Sequence, residues 1–314
     1  MIVVLTGGTG GTKLVQGLQQ VVASGELTVI VNTGDDIEWW GLQVSPDVDS
    51  VLYGLSGWLS TDRGWGVNGD SFRCLERMQQ LGQPSWFRLG DLDLATHLTR
   101  TAKLRAGSSL SQVTAELAIS LGIQARVLPM TDDRVSTTLD TAKGTLTFQE
   151  YFVREQYQPE VHRVYFAGAD CARPAPGVIE SIETAEAVIV APSNPVTSIG
   201  PILAVPGIRE VLRQTKIPVA AVSPIVAGAA VSGPAGTLMK MMGWRSTVEG
   251  IAKAYEDFVD VLIADKADEA AVWDVRNESL RVFCANTIMN SMDDKRELAR
   301  FVLKACGALR IAHV

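Results

Sequence analysis

The stretch Ile2-Val3-Val4-Leu5-Thr6-Gly7-Gly8-Thr9-Gly10-Gly11-Thr12-Lys13 lies at the start of the chain and decides how the rest is read. Ile2 to Leu5 is a continuous apolar run, the pattern of a strand buried on both faces. The glycines at 7, 8, 10 and 11 let a backbone pass close to a phosphate. The helical pattern that follows offers free N–H groups and a positive dipole end. The spacing is not a dinucleotide fingerprint, because the third glycine of G-x-G-x-x-G, counted from Gly8 and Gly10, falls at Lys13. Nor is it a Walker A loop, which ends in Gly-Lys-Ser/Thr. A phosphate loop between strand and helix is expected, with Lys13 as its charge partner.

Similar apolar runs recur at 27–31, 162–166, 187–191, 218–222, 259–264 and 281–285. Helical patterns lie between them, at 13–22, 206–214, 247–258 and 294–308. Ser246-x-x-Glu249 reads as a capping box. The final helix places Leu298, Phe301, Val302 and Ala305 on one face. Together these predict an α/β fold: a Rossmann-like, mostly parallel sheet with helices on both faces. The segment 70–122 interrupts the rhythm with three helical patterns, at 72–81, 94–105 and 110–121. A helical insertion or cap over 70–122 is expected on a core of 1–69 and 123–314. Thr-rich alternation over 125–152 predicts extended segments, with a hairpin turning near Lys143-Gly144.

Composition narrows the function. The chain has 314 residues, 46% hydrophobic and 20% charged, enough for a sizeable core and against disorder. Lys plus Arg is 28 and Asp plus Glu is 35, so net charge is 28 − 35 = −7. That opposes a broad grip on nucleic acid or an anionic membrane, but not a local phosphate site. The four cysteines form no C-x-x-C pair and there are three histidines, so neither a zinc site nor a disulfide framework is expected. A reducing cytoplasm fits that cysteine usage, and no signal peptide is read. The low-charge stretch 217–238 carries three prolines and reads as strand, loop and turn rather than a membrane span.

Three further groups of residues bear on chemistry. Asn32-Thr33-Gly34-Asp35-Asp36 follows the second strand, and Pro46-Asp47-Val48-Asp49-Ser50 comes about a dozen residues later. Four carboxylates beside a phosphate loop would repel the ligand unless a hard cation intervened. Mg²⁺, held by one or two carboxylates plus substrate phosphates, answers that. The competing reading is ordinary capping and turn chemistry. Pro192-Ser193-Asn194-Pro195 ends a strand, where open α/β sheets bind ligands, and Ser223-Pro224 ends another. Arg88-Leu89-Gly90-Asp91-Leu92-Asp93 starts a cap helix, with His97 and Arg100 after it. Taken alone, that stretch is a capping turn and His97 a structural residue. No Ser-His-Asp or Cys-His arrangement can be built. An enzyme with this sequence would position substrates and neutralise charge, with the nucleophile supplied by the substrate.

These motifs, in this order, resemble the 2-phospho-L-lactate transferases of deazaflavin coenzyme (F-420) biosynthesis. Gly-Gly-Thr-Gly-Gly, Asn-Thr-Gly-Asp-Asp, Val44-Ser45-Pro46-Asp47-Val48-Asp49-Ser50-Val51-Leu52-Tyr53 and Trp65 carry the likeness. So do Leu89-Gly90-Asp91-Leu92-Asp93, Leu128-Pro129-Met130-Thr131-Asp132-Asp133, Phe148-Gln149-Glu150-Tyr151-Phe152, and Pro192-Ser193-Asn194-Pro195 with Ser198-Ile199-Gly200-Pro201. Leu92, where a charged residue is more usual, and Gly34, where alanine is common, depart from the pattern. The resemblance implies a Mg²⁺-dependent transfer of a phospholactyl-type or phosphoenolpyruvyl group. The donor is a guanosine-diphosphate adduct, the acceptor the ribityl 5′-hydroxyl of 7,8-didemethyl-8-hydroxy-5-deazariboflavin, and GMP leaves. It also implies a homodimer. Mapped onto this chain, it makes Asp35 and Asp47 the metal ligands, and Asp49 and Arg88 the deazaflavin contacts. Gly7, Gly8, Thr9, Gly10, Gly11 and Lys13 would hold the diphosphate, with Ser193 and Asn194 beside the nucleotide. Asp49 would orient or deprotonate the attacking hydroxyl, and Asp36 could replace either metal ligand.

Two other readings compete. A related branch of the superfamily binds nucleotide sugars and serves regulation; it would show Gly-Ser-Leu-Tyr-Thr in place of Ser193-Asn194-Pro195. A nicotinamide-dependent oxidoreductase would show a third glycine where Lys13 stands.

Overall fold

A computed structural model describes residues 1–231, 233–272, 275 and 279–307. The chain runs β1 (Ile2–Thr6), α1 (Gly8–Gln19), β2 (Leu27–Val31), a short hairpin of β3 (Ile37–Trp39) and β4 (Leu42–Val44), then α2 (Pro46–Ser56). Three helices follow in succession: α3 (Arg73–Gln80), α4 (Asp91–Arg105) and α5 (Leu110–Ser120). After β5 (Arg126–Pro129) come a hairpin of β6 (Ser136–Thr141) and β7 (Gly144–Thr147), a π-helical turn (Glu150–Arg154) and β8 (Val161–Ala167). The remaining half comprises α6 (Val178–Glu183), β9 (Ala187–Val190), α7 (Ile199–Ala204), α8 (Ile208–Gln214), β10 (Val219–Val222) and the small β11 (Ile225–Val226) and β12 (Ala229–Ala230). It ends with α9 (Ala235–Met241), α10 (Val248–Ala254), β13 (Val261–Asp265), β14 (Arg281–Ala285) and α11 (Met292–Ala305).

Seven strands form one parallel sheet in the order β14-β13-β10-β9-β1-β2-β5. Strand alternation divides its apolar residues between two cores. Val3, Leu5, Val188 and Val190 pack against α6, α7, α8 and α10. Ile2, Val4, Ala187 and Ile189 pack against α1, α2 and α11. This is why the strands read as unbroken apolar runs: both faces are covered. The sheet is the α/β architecture expected. The chain winds outward from β1 in one direction and from β9 in the other. Their adjacent carboxyl ends therefore make the topological switch point where such sheets bind ligands.

Several local expectations shift. The glycine stretch is not a loop before the helix; Gly8 to Gly11 form the first turn of α1. The cap of α10 is Thr247, whose side chain accepts from the Gly250 N–H, rather than Ser246. The run at 162–166 does not join the parallel sheet. As β8 it pairs antiparallel with β6 in a separate sheet, β7-β6-β8. Its residues are half-exposed, as suits a strand covered on one face only. The hairpin turn predicted at Lys143-Gly144 lies between Thr141 and Gly144. In the segment 70–122, α3 and α4 precede α5, which buries Val113, Thr114 and Ala118 and packs on β5. The predicted end of the last helix at Ala308 lies outside the described residues. No helix among the described residues is long and apolar enough to cross a membrane.

Candidate functional site

A cleft of about 790 Å³ opens at the switch point. Its floor is built from strand ends: Gly7 to Gly10 after β1, Asp35 after β2, Ser193 and Asn194 after β9, Ser223 after β10, and Thr287 to Asn290 after β14. One wall carries Asp47, Asp49 and Tyr53 of α2 with Asp93 and His97 of α4. Arg63, Trp65 and Arg88 line the mouth, and Phe148, Gln149 and Phe152 line another side.

The glycines act by close approach. A Cβ at Gly7 would stand 2.6 Å from Asp47 Oδ2, and one at Gly10 2.9 Å from the Pro192 carbonyl oxygen. At Gly11 it would collide with Thr6 and Ser193, so that glycine serves packing and does not line the cleft. Ser193 ties the post-β9 loop to the first turn of α1. Its hydroxyl donates to the Gly7 carbonyl at 2.7 Å and accepts from the Gly7 N–H at 3.3 Å. The first turn of α1 thus presents backbone to the cleft beside Lys13, the arrangement expected for an anion.

Asn32 brackets the acidic floor. Its amide donates to Asp47 Oδ2 at 2.9 Å and to the Thr197 carbonyl at 3.3 Å, while its oxygen accepts from the Gly34 N–H at 2.8 Å. Burial, and then the charge of Asp47, raise the Asp35 pKa well above the usual carboxylate range. Burial also lifts Asp47 to about 6. Asp35 Oδ1 is buried with no hydrogen-bond partner. Neither residue has an ion-pair partner among the described residues. Two buried carboxylates that lack a cation, one with an orphaned oxygen, could hold a hard divalent ion completed by ligand phosphates. No cluster of three or more His, Cys, Asp or Glu able to hold a metal by themselves occurs among the described residues.

Asp49 is held differently. Arg100 engages both its oxygens, with Nη1 donating to Oδ2 at 3.1 Å and Nη2 bonded to Oδ1. His97 Nδ1 stands 3.6 Å from Oδ2, and His97 Nε2 stands 3.2 Å from Asp93 Oδ1. The Tyr53 hydroxyl donates to Asp93 at 2.7 Å. Burial alone would lower the Arg100 pKa, but the adjacent Asp49 reverses that and raises it. At the mouth, the Arg88 guanidinium lies 4.6 Å from the centre of the Phe72 ring, and Arg63 lies 5.4 Å from the same ring and 5.5 Å from Trp65. These cation–π contacts hold two guanidinium groups against flat aromatic faces.

The structure therefore brings Gly7, Gly8, Thr9, Gly10, Lys13, Asp35, Asp47, Asp49, Arg88, Ser193 and Asn194 to one cleft. Asp36 is not among its lining residues. It is half-buried, with a pKa raised by burial of its carboxylate, and accepts from the Ser45 hydroxyl at 2.6 Å. The parts that sequence reasoning undervalued are Asn32, Tyr53, His97 and Arg100. One signal was available: Asp93, His97 and Arg100, spaced four and three apart, share a helix face.

Fold and cleft together define a doubly wound α/β protein with a glycine-lined crevice at its switch point. More particularly, the chain belongs to the family of the 2-phospho-L-lactate transferase CofD, whose family model matches residues 2–298. It is 43% identical to a 2-phospho-L-lactate transferase of Methanosarcina acetivorans, over 96% of this chain and 98% of that one. It is also 43% identical to one of Methanocaldococcus jannaschii, over 98% and 99% of the two chains. A phosphoenolpyruvate transferase of Streptomyces griseus is 41% identical over 98% and 99%. Among solved structures, a UPF0052 family protein of Bacillus halodurans shares the fold, with a TM-score of 0.64 at 16% identity over 96% of this chain and 98% of that one.

Proposed function

We propose that this protein is a Mg²⁺-dependent transferase of deazaflavin coenzyme biosynthesis. It moves a phosphorylated three-carbon acid from a guanosine-diphosphate-activated donor to the ribityl 5′-hydroxyl of 7,8-didemethyl-8-hydroxy-5-deazariboflavin. The observation that carries this reading is the joining, in one cleft, of the first turn of α1, the cation-free pair Asp35 and Asp47, and the Asp49 and Arg88 side chains. Family membership and the names of relatives at 41–43% identity support the same chemistry.

In the reaction, the hydroxyl oxygen bonds to the phosphorus bearing the three-carbon acid. The bond from that phosphorus to the GMP oxygen breaks, and the hydroxyl proton is lost. Mg²⁺ bound at Asp35 and Asp47 would neutralise phosphate charge and polarise the reacting oxygens. The chain's own residues bind and orient. The first turn of α1 and Lys13 hold the diphosphate, with Ser193 and Asn194 beside the nucleotide. Arg88 meets the deazaflavin, and Asp49 accepts from its hydroxyl-bearing chain. Catalysis is then positioning plus electrostatics.

The test is product mass after incubation with Mg²⁺, the deazaflavin and each guanylylated acid in turn, phospholactyl and phosphoenolpyruvyl. A deazaflavin product with GMP release establishes the transfer, and its mass identifies the donor. GDP binding without product from either donor would favour a nucleotide-binding regulator.

A further inference from the structure

We propose that Arg100 and His97 of α4 are positioning residues that hold Asp49 as a fixed hydrogen-bond acceptor for the hydroxyl-bearing substrate. The inference rests on the transferase reading, since that reading brings the acceptor to Asp49.

The geometry is that of a brace behind the cleft wall. Asp49, His97, Asp93 and Tyr53 line the cleft, while Arg100 does not. Arg100 is fully buried at 0% exposure, and Asp49 and His97 are 4% and 1% exposed. Two parallel guanidinium contacts fix the plane of the Asp49 carboxylate as one contact would not. A carboxylate offers about four acceptor positions, so the fork leaves others free for a substrate hydroxyl. His97 Nδ1 lies 3.3 Å from Arg100 Nη1 and, because a guanidinium can only donate, accepts from it. His97 is itself backed by Asp93, which Tyr53 holds. The chain of contacts therefore runs Tyr53, Asp93, His97, Arg100, Asp49, and joins α2 to α4.

Stability gives little reason for such an arrangement. A buried ion pair is often matched or bettered by apolar residues of similar volume. This pair sits against the cleft with a carboxylate as the member that lines it, where an apolar replacement would leave nothing to bind a hydroxyl. Asp49 also lies two positions from Asp47 on the first turn of α2. A guanidinium behind Asp49 keeps that carboxylate with α4 and away from a cation at Asp47.

The experiment compares Arg100→Met, Arg100→Lys and His97→Asn with the wild type, varying acceptor and donor separately and recording thermal melts. Arg100→Met should raise the acceptor KM by about tenfold or more and leave the donor KM within about twofold. Arg100→Lys keeps the charge without the fork and should recover part of the loss. His97→Asn should shift the acceptor KM the same way by a smaller factor. Equal rises in both KM values, or an unchanged acceptor KM, would overturn the proposal. Should Arg100→Met fail to fold, an unchanged acceptor KM in His97→Asn overturns it alone. A wild type that makes no deazaflavin product defeats the transferase reading instead. The crystal structure of Arg100→Lys then decides the brace: a displaced Asp49 carboxylate supports it, and an unmoved one overturns it.

Discussion

Two acidic groups share the cleft and meet burial in opposite ways. Asp35 and Asp47 have no basic partner among the described residues, and burial drives their pKa values up. Asp49 and Asp93 are served by Arg100 and His97 from within the chain. A buried carboxylate must gain a proton, a counter-charge or a set of hydrogen-bond donors, because bare charge in a low-dielectric interior is costly. Asp49 and Asp93 meet that cost with basic groups of α4, while Asp35 and Asp47 meet it with none. The difference lies in what α4 can reach: Arg100 extends to Asp49 in the first turn of α2, while Asn32 supplies Asp47 with a neutral amide only.

The comparison can be broken most directly at Asp47. Asp47→Asn should lower turnover by about three orders of magnitude at saturating Mg²⁺, the scale of losing metal stabilisation worth several kcal/mol. Circular dichroism should show the fold intact. Activity equal to wild type, measured as GMP release, would place the cation elsewhere. On the served side, Arg100→Met leaves Asp49 buried and unpaired, at a cost of about 3–5 kcal/mol of stability. Chemical denaturation should report that loss, and a change below about 1 kcal/mol would mean that Asp49 finds another partner. Arg88→Ala, at the mouth, should weaken deazaflavin binding by about tenfold and GDP binding far less, in line with a cation–π contact at a partly desolvated site. Fluorescence titration of the two ligands distinguishes the cases, and equal losses would place Arg88 at neither subsite. Lys13→Ala should weaken GDP binding several-fold, with a shallower salt dependence, as calorimetry at two ionic strengths would show.

A third carboxylate sharpens the contrast at the smallest scale. Asp265 is satisfied by donors alone: the Ala267 N–H at 2.9 Å and the N–H and hydroxyl of Thr287, each at 2.8 Å. Burial opposes ionisation there, yet these hydrogen bonds, helped by the charge of Lys266, prevail and hold its pKa below the usual value. A pKa depressed on folding contributes stability above the unfolded value, near 3.8, and that contribution fades as pH falls through the folded one. Asp265→Asn should therefore cost about 1–2 kcal/mol near neutrality and progressively less below about pH 4. Melting temperatures across that range would check it. A difference independent of pH would mean that packing, not charge, sets the effect.

Much of this was legible beforehand, for identifiable reasons. The runs at 2–5, 27–31 and 187–191 announce buried parallel strands because both sheet faces are covered. The three helices of 70–122 show as successive helical patterns. The run at 162–166 misled because β-branched and aromatic residues also suit a half-exposed antiparallel strand, and periodicity says nothing about partners. The glycine stretch was read for its permissiveness, yet only Gly8 has a positive φ there. Gly7, Gly10 and Gly11 are needed because other groups come close. The meeting of His97 and Arg100 with Asp93 and Asp49 is not legible in the sequence, because a helix face does not reveal what stands opposite.

The sequence by itself determined the α/β class and the family, because strand burial and motif order are encoded within a few neighbouring residues. The tertiary structure alone decided which buried carboxylates have a basic partner within the chain and which do not. Asn32 meets the Thr197 carbonyl across 165 residues, and Asp49 meets Arg100 across 51. Such meetings follow from sheet order and from the packing of α4 on its neighbours, and no local pattern contains them.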